Sequence, residues 1–534
     1  MVYNHEGQVT RKYLPYTING DGSFRANRIS EQNSFYTDIY DSNPYAYTDF
    51  RYGSDNQINE KGAPGASWQI NANPKHTTRY YYGNATIGIK YFTLENNGLR
   101  LKQKKEYPSN ALIWNESVID QSISRTEFTD FNGNVVCKKE GNNITNYIYD
   151  DLGRLRYILS PMQDSLFSMG TQKNIEELQQ YGYYIEYDKY GNVYKQYKPG
   201  AGYSIYLYDK RGRLVLSQDA EQRKNAKWTF IKYDYLNRPV ITGICNGTEA
   251  THKTAIATQT VFGEQRGSVL HGYTNLTYPT SVTEGDCLNI TYYDDYSWNG
   301  HSNMTFSNID ALDEVKNDDV VGQTTGIKTK VLGISANQWL ISAIYYNKKY
   351  QSIQTVSQLY PSGSEVISNK YNFTGQVVRV KVKQTVNNIV TEYNKYYTYD
   401  QRGRQLKTEQ QITGDNTNGK VILEEYTYNE VGGISQKKLH NGKEIQNYQY
   451  HVGGFLTNVT SPSFSYQLDY DKVTINGAVA RYDGNINSMI WKNGSGTEKA
   501  YIYTYDNTGQ LTAASYKEKS GTTWGNTNGR YNVN

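Results

Sequence analysis

The seven histidines, His5, His76, His252, His271, His301, His440 and His451, are the first place to look for metal binding or acid–base catalysis. None is paired at a spacing such as HExxH, which would put two ligands on one helix face. Paired acids at Asp294–Asp295 and Asp318–Asp319 suggest calcium binding or general acid–base chemistry. A calcium loop needs oxygen ligands at alternating positions, and neither pair has them, so both read as solvated turn acids. Cys137, Cys245 and Cys287 are far apart and odd in number. They give no disulfide framework and no ligand spacing, and read as small buried hydrophobes. "GQTTG" at Gly322 and "GAPGAS" at Gly62 lack the lysine and the strand-to-helix setting of a phosphate loop. No carboxylate pair or nucleophile–base pair can be singled out, so no catalytic, cofactor or metal site is expected.

One set of residues does recur at fixed spacing. Tyr149, Asp150, Gly153 and Arg154 lie in "YDDLGRL", and Tyr187, Asp188 and Gly191 in "YDKYGNV". Tyr208, Asp209, Gly212 and Arg213 lie in "YDKRGRL", with Tyr233 and Asp234 in "YDYLNRP". Tyr399, Asp400, Gly403 and Arg404 form "YDQRGRQ", and Tyr505, Asp506 and Gly509 form "YDNTGQL". Aspartate at the first position of a type I turn accepts N–H groups ahead of it, and glycine at the fourth takes a left-handed conformation. That conformation makes the bulge that matches hairpin twist. The tyrosine is then the last residue of the incoming strand. The arginine after the glycine is expected over the tyrosine ring of an adjacent strand, as a cation–π contact.

The elements around the turn must be strands. "YSIYL" before Tyr208 and "RLVLSQD" after Gly212 alternate apolar with polar residues, the period of a half-buried strand. Tyr187 to Tyr208 is 21 residues, Tyr208 to Tyr233 is 25, Tyr371 to Tyr399 is 28 and Tyr399 to Tyr428 is 29. Each interval fits two strands and two turns, one hairpin per repeat. A lone hairpin is marginal in water, so the hairpins must stack edge to edge, with the turn tyrosines forming a ladder of ring pairs. Degenerate copies start at Tyr3, Phe128, Tyr345, Tyr450 and Tyr482, with Asn347, Asn372 and Asn429 replacing aspartate. Gly453 and Gly454 are expected to shift their turn by one residue. Two short helices are expected, in "NIEELQQYG" capped by Asn174 and in "DAEQRKNAKW" capped by Asp219.

Composition agrees. Of 534 residues 54 are tyrosine, which suits broad half-buried β surfaces better than an aliphatic enzyme core. Fifty-six basic and 52 acidic residues, spread without blocks, exclude an electrostatic footprint on nucleic acid or anionic lipid. No apolar run is long enough for a membrane span, and the N-terminus has no basic-then-apolar export pattern. The expected fold is all-β: antiparallel hairpins stacked into a spiral sheet, barrel or incomplete hollow β-shell, with a few short helices. Its expected organisation is a β-rich N-terminal region over 1–140, repeat blocks over 141–245 and 341–534, and an irregular Thr/Gly/Asn-rich segment over 246–340.

The "YDxxGRL" motif and its recurrence resemble the YD-repeat (Rhs) family, and "YKPGAGYSIYLYDKRGRLVLSQDAEQRKNAKWTFIKYDYLNRPVITG" is similar to large secreted bacterial members. "VTRKYLPYTINGDGSFRANRISEQNSFYTDIY" and "EKGAPGASWQIN" resemble the region preceding the repeats there. The resemblance covers nearly the whole chain. It implies a β-shell, related to toxin-complex shells and teneurin barrels, that encloses a variable C-terminal toxin. It also implies a secreted or cell-surface location. The paired Asp-Pro motifs of the family's self-cleaving segment are lacking, so none of its catalytic residues carries over, and the chain is expected to be a fragment of a longer protein. Three roles compete: a scaffold for a toxin or other cargo, an adhesin or carbohydrate-binding surface using Trp68, Trp114, Trp298, Trp491 and Trp524 in loops, and, least supported, a polysaccharide-degrading enzyme.

Overall fold

The computed structural model describes residues 1–18, 25–39, 45–85, 88–120, 123–178, 180–334, 338–414 and 419–526. The chain divides into two compact units, Met1–Leu178 with Glu424–Asn534, and Gln179–Leu423. Both are built of antiparallel strands paired mainly with their neighbours in the chain, as one hairpin per repeat requires.

In the second unit the ribbon runs from Tyr183–Tyr187 through Gly202–Tyr208, Lys227–Tyr233 and Pro239–Asn246 to Cys287–Asp294. It continues through Val320–Lys330, Trp339–Tyr346, Ser352–Gln358 and Ser364–Tyr371 to Gln405–Ile412. In Lys227–Tyr233 alternate residues are buried, which puts Trp228, Phe230 and Lys232 on one face. Trp228, Phe230, Leu216, Ile241, Tyr292 and Tyr345 belong to the main core.

Residues 246–340 contribute two strands of that ribbon, Cys287–Asp294 and Val320–Lys330, and around them a helix and loops that cover the core. The helix Glu249–Thr258 begins at a capping box between Thr248 and Thr251 and buries Ile256. Leu270, Tyr273, Val282, Trp298 and Met304 pack from the following loops. Outside its strands, the segment that reads as irregular in sequence packs its side chains on a sheet face.

The first unit contains two such runs. One extends from Val2–Tyr3 to Leu155–Leu159, the other from the strand ending at Tyr428 to Thr523–Asn526. A separate three-stranded sheet pairs Gln172–Asn174 with Arg100–Glu106, and that strand with Lys90–Glu95. Among the described residues no pairing joins the first strand of a run to its last, so the runs are open ribbons.

Both expected helices form. Ala220–Lys224 starts at a complete Asp219–Gln222 capping box; before Ile175–Leu178 the Glu177 carboxylate accepts from the Asn174 N–H at 2.8 Å, while the Asn174 side chain expected as the cap accepts from Arg100 at 3.0 Å. Among the described residues no helix is long and apolar enough to cross a membrane.

Candidate functional site

The repeated turn is the most regular chemical unit in the molecule. The Asp150 carboxylate accepts from the N–H groups of Leu152 at 3.1 Å and Arg154 at 3.0 Å. Asp209 does the same with Arg211 and Arg213, and Asp234 with Leu236 and Arg238. Asp188, Asp400 and Asp506 repeat the pattern. The glycine N–H donates back to the aspartate carbonyl at 2.9 Å in Gly153 and 3.0 Å in Gly212, Gly403 and Gly509. Gly153, Gly191, Gly212, Gly403 and Gly509 all have φ between 73° and 91°, where a side chain is strained. In "YDYLNRP" Asn237 holds the same position at φ 63°. A bulge accompanies each turn: the pairing steps from Ile148–Tyr157 to Tyr149–Leu155 and from Leu207–Leu216 to Tyr208–Leu214, for example, which leaves one extra residue on the outgoing strand.

The arginine does more than cover a ring. Arg154 Nε donates to the Asp150 carboxylate at 2.9 Å, Arg213 to Asp209 at 2.9 Å and Arg404 to Asp400 at 2.7 Å. The guanidinium therefore clamps its own turn. The ring contact is also present where Arg213 lies 4.6 Å from the Tyr233 centroid. Burial pushes the Asp150 carboxyl up, but Arg154 and the turn N–H groups more than offset it and hold it below the usual aspartate range. Asp400 and Asp506 are also held down, Asp400 chiefly by the Arg404 N–H and Asp506 chiefly by the Thr508 hydroxyl.

The expected ladder of ring pairs is not the link that the described turn tyrosines share. Successive turn tyrosines are two strands, about 10 Å, apart. In most copies the hydroxyl reaches the strand between them and donates to the carbonyl just beyond the preceding turn. Tyr149 bonds Val135 at 2.9 Å, Tyr208 bonds Val193 at 3.0 Å and Tyr233 bonds Leu214 at 2.8 Å. Tyr371 bonds Ser352, Tyr399 bonds Val377 and Tyr505 bonds Ile486, at 2.8, 2.8 and 2.7 Å. Tyr52, Tyr293 and Tyr450 make the same bond from less regular copies. Each acceptor other than Ile486 lies five residues after the first residue of its turn. The phenol thus ties these repeats to the ones before them.

The degenerate turns keep the frame. Asn4, Asn347 and Asn372 accept the N–H four residues ahead as aspartate does. The expected one-residue shift at Gly453 and Gly454 does not occur. His451 is the first turn residue, its Nδ1 accepts from the Gly453 N–H at 3.0 Å, and Gly454 takes the left-handed position at φ 87°.

Elsewhere, polar groups cluster for structural ends. Lys232 and Glu264 form an ion pair at 3.1 Å with both side chains fully buried. Lys232 also donates to Asn275 at 2.8 Å and to the Thr277 carbonyl at 2.6 Å. Glu264 accepts from the Thr277 N–H and hydroxyl, the Thr274 hydroxyl and the Leu276 N–H. Burial pushes Glu264 up, yet Lys232 and these donors hold its carboxyl below the ordinary value. With every lone pair engaged, the pair anchors the 264–277 loop beneath the sheet and has no group left for a substrate. His76 bonds Asp120 at 2.5 Å and stacks on Tyr482 at 3.3 Å, while Trp68 Nε1 donates to Asp471 at 3.0 Å. These contacts join the N-terminal region to the later repeats within the first unit.

The three thiols are buried, and burial pushes each up to about 12, far from nucleophilic. Among the described residues no group of three His, Cys, Asp or Glu side chains is placed to hold a metal ion. Of the tryptophans read as loop residues, Trp114, Trp491 and Trp524 lie in strands. Trp68 and Trp298 are buried, and Trp298 stacks on Tyr292 at 4.7 Å. Trp491 stacks on Tyr501 at 5.4 Å, so its ring already has a partner.

Residues 1–82 match the family model of a domain of unknown function, DUF6443. No curated protein sequence matches the chain. Similar solved structures include TcdB2-TccC3 without its hypervariable C-terminal region, at 14% identity and TM-score 0.30, covering 98% of this chain and 23% of that one. TcdB2-TccC3-TEV gives 15% identity, TM-score 0.30 and coverage of 91% and 24%. The Photorhabdus luminescens Tc holotoxin pore gives the same identity, coverage and TM-score. This chain spans about a quarter of the length of those chains. With TM-scores of 0.30, the architecture rests on the strand pairing and not on superposition.

Proposed function

We propose that this chain is a non-catalytic stretch of wall from a YD-repeat (Rhs) shell that encloses or displays a C-terminal toxin or effector in competition between bacteria, acting outside the producing cell. The observation that carries the reading is the tyrosine link. Hydroxyl bonds that recur from one repeat to the one before it hold successive hairpins in register, which is what a wall needs and a reaction does not. The arginine clamps serve the same end, since they consume the charged groups of the turn internally. The motif resemblance supplies the cargo half of the proposal. In this reading the repeat blocks 141–245 and 341–534 contribute wall together with the strands of 1–140 and 246–340 that continue their pairing, and the helix and loops of 246–340 cover one face of it. A curved sheet that leaves few open edges can hold a cargo away from other proteins.

The test expresses the complete coding region that contains this chain and challenges the product with a broad-specificity protease. The expected result is a stretch beyond residue 534 that survives in the full product and is digested when expressed alone. Equal digestion in both settings, or a coding region with nothing beyond residue 534, would overturn the proposal.

A further inference from the structure

The strand Lys90–Glu95 is an edge. It pairs on one side with Arg100–Glu106 and, among the described residues, with no strand on the other. A cleft of about 580 Å³ borders it, lined on one wall by Tyr91, Phe92, Thr93 and Leu94. Successive side chains of a strand point to opposite faces, so a cleft touching four consecutive residues must run along the strand's edge, where its backbone groups lie. The opposite wall is the turn of Asp150, Asp151, Leu152 and Arg154. A second cleft of about 230 Å³ shares Tyr91, Phe92, Tyr149, Asp150 and Asp151 with the first and extends to Asp130.

The charges lining this groove are unequal in their freedom. Lys90 is bonded to Asp164 at 2.9 Å, and Arg154 to Asp150 at 2.8 Å. Arg156 also faces Asp150, at 3.9 Å. Asp130 accepts only from Asn132 and Asn134, and Asp151 stands exposed at a turn tip; among the described residues neither forms an ion pair. The groove therefore offers unused backbone donors and acceptors, aromatic side walls from Tyr91, Tyr107 and Tyr149, and two carboxylates without cations.

We propose that the outer edge of Lys90–Glu95 is a strand-addition site for an extended segment of another polypeptide in which basic and apolar residues alternate. Backbone hydrogen bonds supply the affinity in this mode and alternate side chains the selectivity. The six residues of the edge span about 20 Å, enough to register a heptapeptide. The inference rests on residues 90–156 and does not depend on the shell reading.

The probe is a heptapeptide of alternating valine and lysine, blocked at both ends, titrated calorimetrically into the full chain. Saturable one-to-one binding is expected. N-methylation of one alternate set of its amides should weaken binding about tenfold or more, while methylation of the other set should change it little, because only one set faces the edge. Hydrogen exchange in the complex should slow in residues 90–95. Asp151→Lys, at an exposed tip outside the strand, should weaken binding about three- to tenfold with the melting temperature unchanged. No binding at millimolar peptide, equal tolerance of both methylated sets, protection confined to other segments, or an Asp151→Lys affinity equal to that of the unaltered chain would each overturn the proposal.

Discussion

Lys227–Tyr233 and Val377–Val386 are strands of the same unit, but they are stabilised differently. The first buries Trp228 and Phe230 in a core closed by the 249–304 segment. In the second only Val382 is buried, Val386 is exposed, and the other residues are half-exposed on both faces. Its two neighbours bury polar groups instead, Ser368 and Asn394, and the strand beyond buries Thr408. Polar contacts, across strands and to the 308–310 turn, take the place of a core there. Arg379 donates to Asn394 at 2.9 Å and lies 5.3 Å from the Tyr396 centroid, and Lys381 bonds Asp310 at 2.7 Å and Glu392 at 3.3 Å. Such pairs contribute about 0.2–1 kcal/mol each, against about 1.5–3 kcal/mol for burying one large apolar side chain. The same turn and the same tyrosine link thus serve a ribbon with a core and a ribbon without one.

The largest break in this comparison comes from the core side. Trp228→Ala should cost about 3–5 kcal/mol in urea unfolding, whereas Val382→Ala should cost about 1–2 kcal/mol. Equal losses would erase the distinction. Lys232→Met leaves Glu264 buried without its partner and should also cost about 3–5 kcal/mol; the double variant Lys232→Met with Glu264→Leu should recover much of that loss. A double variant no better than the single one would show that the pair is more than an anchor.

Smaller effects sharpen the comparison instead. Tyr399→Phe, in the thin ribbon, should cost about 0.5–1.5 kcal/mol and speed hydrogen exchange locally near Val377. Tyr233→Phe should cost a similar amount, but with the neighbouring core amides remaining protected. The smallest effect is that of acid. The carboxyls of Asp150, Asp188, Asp400 and Asp506 titrate below the ordinary value of 3.8 when folded. Their contribution is complete above that value and is lost as pH falls through the lower folded-state values. The Asn372 turn carries an amide and provides an internal control. Hydrogen exchange at decreasing pH, corrected for its intrinsic pH dependence, should show the aspartate turns loosening below 3.8 while the Asn372 turn holds.

How much of this was legible in the sequence follows distance along the chain. The aspartate, the left-handed glycine and the flanking strand period all act within about seven residues, and they could be read directly. The arginine clamp is also local, but Arg154 had two plausible partners, a ring and a carboxylate, and only geometry shows that Asp150 is engaged first. The tyrosine link escaped because its acceptor is a backbone carbonyl one repeat away, as with Val377 for Tyr399, and a carbonyl has no residue type to recognise. Lys232 and Glu264 carry no motif, and their meeting depends on how the 264–277 loop folds under the sheet. The shift expected from the adjacent Gly453 and Gly454 does not occur because Gly454 already holds the fourth position of a turn that His451 opens.

Every hydroxyl link described above points the same way, from a later repeat to an earlier one. A hairpin leaving the ribosome is therefore latched by the next tyrosine to emerge and need not wait for the distal end of the chain. Synthesis itself would advance the sheet like a zip, one tooth at a time, and the exposed margin at any moment would be that of the newest hairpin alone.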